Sequence, residues 1–286
     1  MADAGGEPGA ADPSLGGGTH ADAVSERWLG SYPQTIWRRH SDAVNSALLE
    51  RWLPAQVHAV LKTDLFDEAV SAGLYTALAS RCERVVGIDL SLAIVNAAAA
   101  RHDGLVALHA DVRTMPFDDG AFAAVVSNST LDHFDSPAEI VRGLREIARV
   151  LQPGGTLVLT LDNPWNPVIA LAKALPRRPL NRAWIRLGGA SSRIGLLPYY
   201  VGATMSLPRL RRLLGDLGFD VSDFGTIVHA PRAFAVIVAN LLERHGGVRS
   251  QARFLRVLSA CEALSRWPTR LVTGHFVAVQ AVKRAQ

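Results

Sequence analysis

Residues 123–161 read AAVVSNSTLDHFDSPAEIVRGLREIARVLQPGGTLVLTL, and their reading decides the fold. Ala123–Ser127 and Thr156–Leu161 are short, mostly apolar runs of the kind that belongs in a sheet covered on both faces. Between them, Ser136-Pro137-Ala138-Glu139 is a capping box with proline at the first helical position. Ile140, Leu144, Ile147 and Leu151 then fall on one helical stripe. Pro153-Gly154-Gly155 stops that helix and turns the chain into the next strand. A strand, a helix and a strand in this order make a βαβ unit, and such units pair their strands in parallel.

The same alternation extends both ways. Upstream, Val57–Leu61, Arg84–Asp89 and Leu105–His109 supply three more apolar runs. Downstream, Pro208–Leu217 predicts a short helix ended by Gly218. Phe219–Val228 and Gly274–Val282 read as two last strands, with helices over Phe234–Leu242 and Phe254–Leu264 between them. The expected fold is α/β: a Rossmann-like, doubly wound, mostly parallel seven-stranded sheet spanning residues 55–286.

Three segments stand outside this series. Residues 1–20 hold six glycines and no aromatic residue, too little apolar surface to offset ordering entropy, so a disordered tail is expected. Residues 21–54 carry Trp28, Tyr32, Trp37 and Trp52, with Ala43, Ala47 and Leu48 at helical spacing. They predict an N-terminal helical extension whose aromatics act as packing anchors, with pocket lining as the second reading. Residues 163–206 contain six basic residues and no acidic one. An insertion after a strand's carboxyl end sits over the crevice where open α/β sheets bind ligands, so this segment is expected to be a lid. Its charge leaves an anionic acceptor or a lipid-like, membrane-surface role open.

Composition narrows the function classes. With 49% hydrophobic and 20% charged residues the body of the chain is not disordered. A net charge of +4 is too small to indicate nucleic-acid binding by itself. Cys82 and Cys261 are the two cysteines. They read as free thiols of a cytoplasmic protein, and no metal is implied. No apolar run reaches the ~18–20 residues of a membrane span, and the N-terminus lacks a basic-then-apolar signal pattern.

Chemistry-bearing residues follow the strands. Asp89, in Gly87-Ile88-Asp89-Leu90-Ser91, offers two carboxylate oxygens to a vicinal diol, or merely caps the next helix. Asp111 offers an acceptor to an exocyclic amine, with Val112 and Met115 beside a ring, or is a turn residue. Ser127-Asn128-Ser129-Thr130-Leu131-Asp132-His133 brings polar groups to the crevice centre. His133 beside Asp132 suits proton removal from an acceptor hydroxyl, because histidine titrates near neutrality. Asn163 and Asn166 face the crevice or serve ordinary turns.

The stretches VVGIDLS, HADVRTMPFDDGAFAAVVSNSTLDHF, EIARVLQPGGTLVLTL and GHFVAVQAVKR resemble the class I S-adenosylmethionine-dependent methyltransferases of the type 11 kind. The resemblance is specific over residues 57–161 and weaker from 207 onward. It implies S-adenosylmethionine as cofactor and methyl transfer to a small-molecule acceptor. It places Asp89 with Leu90 at the ribose, Asp111 with Val112 at the adenine, and Ser127 and Asn128 beside the methionine. The chain departs from the family at the first strand. There Lys62-Thr63-Asp64-Leu65-Phe66-Asp67-Glu68 replaces a D/E-x-G-x-G-x-G loop, and no glycine occurs until Gly73. Three readings follow: side chains take over the glycine loop, the pocket serves another reaction or a binding role, or a dinucleotide replaces the methyl donor. The last lacks a G-x-G-x-x-G run. In the first reading Asp64 meets the methionine ammonium and Lys62 or Thr63 its carboxylate. Asp67 and Glu68 open the next helix, and Leu65 and Phe66 fill the space glycines leave.

Overall fold

The computed structural model describes residues 34–174 and 202–285. Helix α1 (Thr35–Trp52) precedes β1 (Val57–Lys62), α2 (Phe66–Val70), α3 (Tyr75–Ala79), β2 (Cys82–Asp89), α4 (Leu92–Arg101) and β3 (Leu105–His109). Then come β4 (Phe122–Asn128), a 3-10 turn (Leu131–His133), α5 (Pro137–Val150), β5 (Leu151–Asp162) and α6 (Pro167–Ala174). The chain continues with α7 (Leu207–Asp216), β6 (Phe219–Ile227), α8 (Arg232–His245), α9 (Val248–Cys261), a 3-10 turn (Glu262–Arg266), α10 (Arg270–Thr273) and β7 (Phe276–Lys283).

The strands form one seven-stranded sheet in the order β3-β2-β1-β4-β5-β7-β6. β1 to β5 pair in parallel, and β7 runs antiparallel between β5 and β6. Strand order reverses between β1 and β4, which opens a ligand crevice at their carboxyl ends. One face of the sheet is covered by α1, α4, α8 and α9, through Trp37, Leu49, Ile94, Val236 and Leu258. The other is covered by α5 and α7, through Ile140, Leu144, Ile147, Leu210 and Leu214. This double cover is why the strands are apolar on both faces.

The capping box forms as expected: the Ser136 side chain accepts from the Glu139 N–H, and the Glu139 carboxylate accepts from the Ser136 N–H. The helix ends at Val150, earlier than the apolar stripe suggests, and Leu151 already pairs with Phe122 in the sheet. Pro153-Gly154-Gly155 therefore makes a bulge inside β5 rather than the turn before it. The register resumes at Ala124 opposite Thr156, with Gly154 at φ 76°. Glycine is suited there because that φ carries no Cβ penalty.

Trp37 and Trp52 in α1 are buried packing anchors. The indole N–H of Trp52 donates to Asp223 at 3.0 Å, and its carbonyl accepts from Gln280 at 2.7 Å. The inward stripe of α1 differs from the one expected. Ala43 and Ala47 are exposed, while His40 and Asn45 are buried beside Leu48 and Leu49. Local bonding permits this: Asn45 donates to the Ser41 carbonyl at 3.0 Å, and His40 lies 3.3 Å from the Glu262 carboxylate. The expected tail, Trp28, Tyr32 and most of the expected lid, including Arg177, Arg178 and Trp184, lie outside the described residues. No described helix is long and apolar enough to cross a membrane.

Candidate active site

The carboxyl ends of β1, β2, β4 and β5 converge on the crevice. Asp89 ends β2 and is half-buried. Its Oδ2 accepts from the Leu65 N–H and its Oδ1 from the Ser91 N–H, each at 2.9 Å. Burial pushes its pKa up, and these two bonds pull against that. The cap of α4 is Ser91, whose side chain accepts from Ile94, so Asp89 is not the helix cap. Each carboxylate oxygen accepts more than one bond, so the diol-binding capacity at the end of β2 survives. Leu90 is half-buried beside it.

The loop after β1 is built by side chains. Lys62 is buried, with Nζ 2.8 Å from Glu68 Oε2 and 3.4 Å from Asp64 Oδ2, and it donates to the Asp64 carbonyl at 2.7 Å. Burial alone pulls its pKa down, but Asp64, Glu68 and Asp67 more than offset this and hold the ammonium charged. Glu68 also accepts from the Leu74 N–H at 2.8 Å. One sequence expectation fails here: Lys62 is committed to an internal ion pair rather than to a ligand carboxylate. Glu68 stands in the first turn of α2 as expected, and is in addition the buried partner of Lys62. Asp67 is half-buried in the same turn and 3.6 Å from Arg38. Leu65 is fully buried, as expected, and a Cβ at Gly87 would overlap its side chain. Gly87 is therefore needed for the close approach of the loop to β2.

A chain of hydroxyls crosses from β1 to β4. Thr63 Oγ1 lies 3.0 Å from Ser127 Oγ and 2.8 Å from Thr130 Oγ1, and Thr130 Oγ1 donates to Asp64 Oδ2 at 3.2 Å. Ser127 is wholly buried, so it supports Thr63 from beneath rather than lining the crevice. Asn128 accepts from Thr160 Oγ1 at 2.8 Å. The following Ser129 takes φ 53°, and its N–H donates to Thr160 Oγ1 at 3.0 Å. Left-handed non-glycine backbone is uncommon and clusters at functional sites. The contact between Thr63 and Thr130 was not legible in the sequence, because single hydroxyls in separate segments carry no pattern.

The side chains of the two catalytic candidates, Asp132 and His133, point apart. Asp132 is buried and points inward. Its Oδ2 accepts from the Ser129 hydroxyl at 3.0 Å and from the Asp162 N–H at 2.8 Å. Burial pushes its pKa up to about 6 against those bonds. Neighbours on a tight turn diverge, and His133 is turned outward and exposed. The protein mass around its ring nonetheless draws its pKa down, while the carboxylates of Asp162, Asp64 and Asp89 act in the opposite sense. His275 lies 3.7 Å from Asp162, but burial and Arg232 press its pKa down to about 3, so it is neutral.

Asp111 is bonded within its own turn. It accepts from the Arg113 N–H at 2.8 Å and takes the Arg113 guanidinium on both oxygens, and Arg113 bridges on to Glu139 at 2.6 Å. Desolvation raises its pKa, but Arg113 outweighs this and holds it below the usual range. Val112 beside it is buried. Asn163 and Asn166 are structural too. Asn163 donates to the Leu271 and Gly274 carbonyls at 2.8 and 2.9 Å, and Asn166 donates to Thr273 at 3.3 Å. The far end of the insertion crosses the 3-10 turn: Ala203 N–H donates to the Phe134 carbonyl at 2.6 Å, and Gly202 leaves no room for a Cβ above Asp132.

Residues 49–159 match the family model described as a methyltransferase domain. An uncharacterized 37.1 kDa protein in transposon TN4556 of Streptomyces fradiae is 30% identical over 200 residues, covering 68% of this chain and 52% of the relative. A demethylmenaquinone methyltransferase of Corynebacterium kroppenstedtii is 39% identical over 118 residues, covering 38% of this chain and 49% of the relative. The chain thus spans about half the length of these curated relatives. The crystal structure of an S-adenosylmethionine-dependent methyltransferase from Mesorhizobium loti shares the fold, with a TM-score of 0.53 at 17% identity over 85% of this chain and 100% of that one. With its sheet order, its crevice and its β2 carboxylate, the chain has the Rossmann-like fold of S-adenosylmethionine-dependent methyltransferases, and its residues 49–159 match a methyltransferase domain.

Proposed function

We propose that this chain transfers the methyl group of S-adenosylmethionine to a small, lipid-like acceptor at the mouth of the crevice. The observation that carries the reading is the convergence of Asp89, Asp64 and the Thr63–Thr130 hydroxyls at the point where strand order reverses. Asp89 fits a ribose diol, with Leu90 and Val112 flanking the adenine. Asp111 serves that end by fixing the turn through Arg113. Asp64, half-buried with Thr130 bonded to it, fits an ammonium. The hydroxyls of Thr63 and Thr130, whose protons are taken up within the chain that ends on Asp64, hold that carboxylate in place, with Ser127 and Asn128 bracing them. The sulfonium, when bound, supplies an activated methyl without further help from the protein. The chain's own work is then to align donor and acceptor and exclude water. His133 takes a proton when the acceptor is a hydroxyl, and Asp132 fixes the turn that presents it. Relatives named for demethylmenaquinone favour an acceptor with an aromatic ring and an apolar tail.

The test is calorimetric titration with S-adenosylhomocysteine, followed by the same titration of Asp64→Ala. The parent is expected to bind, and the variant to bind about tenfold or more weakly, the loss of one charge-assisted bond. A second reading draws on Lys62, Leu65 and Glu68, which occupy the space of a glycine loop: the fold has lost methyl transfer and serves another reaction or binds a ligand. Absence of heat from a folded parent protein selects it.

A further inference from the structure

The connection from β6 to β7 is long and helical, and the crevice reading leaves it unused. β6 is parallel to β5, because both pair antiparallel with β7, so β6 ends and β7 begins at the crevice edge of the sheet. Helices α8, α9 and α10 therefore stand beside the crevice mouth. The inner side of α9 is accounted for, with Leu258 buried and Phe254 and Leu255 packed against the core. The outer side carries Arg249, Arg253 and Arg256 at i, i+4 and i+7, all exposed, and Arg266 and Arg270 are exposed on the segment that follows. The two carboxylates in this region, Glu243 and Glu262, are turned inward. Glu243 accepts from the Ile36 N–H at 2.7 Å, and Glu262 accepts from the N–H groups of Val228 and His229 at 3.1 and 2.9 Å. The described outer face from 231 to 273 thus exposes arginines and no acidic side chain.

Large apolar side chains stand among those charges. Val248 is 82% exposed, Trp267 61%, Val257 57% and Val272 49%. The asparagine bonds to Leu271, Thr273 and Gly274 fasten the start of the 163–206 insertion against α10. This brings the exposed Trp165 and Leu171 to the same edge. Exposed apolar groups ringed by arginines match an anionic bilayer surface, where basic residues meet headgroups and Trp and Val enter the interface. Nucleic acid is also anionic, but phosphate contacts make no use of Val248 or Val257.

We propose that the outer face of α9, the 266–273 segment and α6 docks this chain on anionic lipid bilayers, with the crevice mouth at the membrane surface. The docking face stands on its own residues. Only the delivery of a lipid-like acceptor into the crevice rests on the proposed activity.

The full chain is sedimented with vesicles of phosphatidylglycerol and phosphatidylcholine in equal parts, and with vesicles of phosphatidylcholine alone. Binding is expected to the anionic vesicles and to weaken with salt. Arg249→Glu/Arg253→Glu/Arg256→Glu is expected to abolish it, since each basic residue near the surface contributes about fivefold in affinity. Val257→Ser/Trp267→Ser, which leaves charge unchanged, is expected to lower it several-fold. S-adenosylhomocysteine binding measured on both variants reports that each is folded and separates the two proposals. Anionic vesicle binding without a heat from that ligand sustains docking and overturns only the methyl-transfer reading. No preference for anionic vesicles by a ligand-binding parent overturns docking. So does RNA binding that the arginine variant loses and the apolar variant keeps, when vesicle binding is absent.

Discussion

The two ends of the crevice are built in different ways. At the β2–β3 end the carboxylates bond mostly locally: Asp89 holds Ser91, and Asp111 holds Arg113, each two residues along the chain, with Arg113 reaching on to Glu139. At the β1 end the bonds are long-range. Thr63 meets Ser127, Thr130 meets Asp64, and the Leu65 N–H meets Asp89. A glycine loop positions a ligand with its own backbone. Here Lys62 and Glu68 staple the loop from inside, Leu65 fills the gap at Gly87, and Asp64 is held at the crevice by the hydroxyl chain. Several tertiary bonds hold this loop, which makes it the part of the crevice most dependent on the rest of the fold.

The largest effect expected from that difference is at Lys62. Lys62→Met leaves buried Glu68 and half-buried Asp64 without their cation, and breaking a buried pair from one side costs about 3–5 kcal/mol. Denaturant unfolding should show this loss, and adding Glu68→Gln should restore part of it. An unchanged midpoint for Lys62→Met would break the stapled-loop account. Next in size is Asp89→Ala, whose carboxylate joins the two ends. It should weaken S-adenosylhomocysteine binding by about 1.5–3 kcal/mol, the scale of hydrogen bonds to a charged group. Asp111→Asn should cost stability of the 111–114 turn before it costs affinity, because Arg113 is the carboxylate's partner.

Asp132 sharpens the comparison through pH. Its pKa is raised to about 6 by burial, above the value of about 3.9 expected in the unfolded chain. The folded state therefore holds this proton more tightly. The resulting stabilisation is complete below about pH 4 and is lost as pH rises through about 6. Unfolding of Asp132→Asn lacks this contribution, so the parent should lose stability relative to the variant across that window. A pH-independent difference would place the ionised carboxylate in a better-solvated site. The smallest effect is at Asp67, half-buried in the first turn of α2. Asp67→Ala should cost only about 0.3–1 kcal/mol, as expected for charge at the positive end of a helix, and leave ligand binding intact.

The division between local and distant bonds also separates what could be read early from what could not. The strands, the capping box at Ser136 and the acidic residue ending β2 follow from periodicity and short spacings, because their causes lie within a few residues of one another. Asp89, Asp111 and His133 stand at or after the ends of β2, β3 and β4, as the same logic expects. Their partners were not. Whether Asp132 faces His133 or Ser129, whether Asp111 meets a ligand or Arg113, and whether Glu68 points out or in toward Lys62 depends on side-chain direction within a packed fold. The stripe of α1 failed likewise, since burial of His40 and Asn45 is paid for by Glu262 and Ser41.

The sequence by itself determined the α/β alternation, the parallel pairing of the first five strands, and the unusual chemistry of residues 62–68. Those properties arise from hydrophobic period, turn residues and residue type, which are carried by neighbours in the chain. Only the tertiary structure decided that Lys62 is an internal cation, that Thr63 and Thr130 share a hydroxyl chain with Asp64, and that the arginines and apolar residues of 248–272 stand beside the crevice mouth. Each of those depends on segments far apart in sequence being brought within a few ångströms, and no local pattern records that distance.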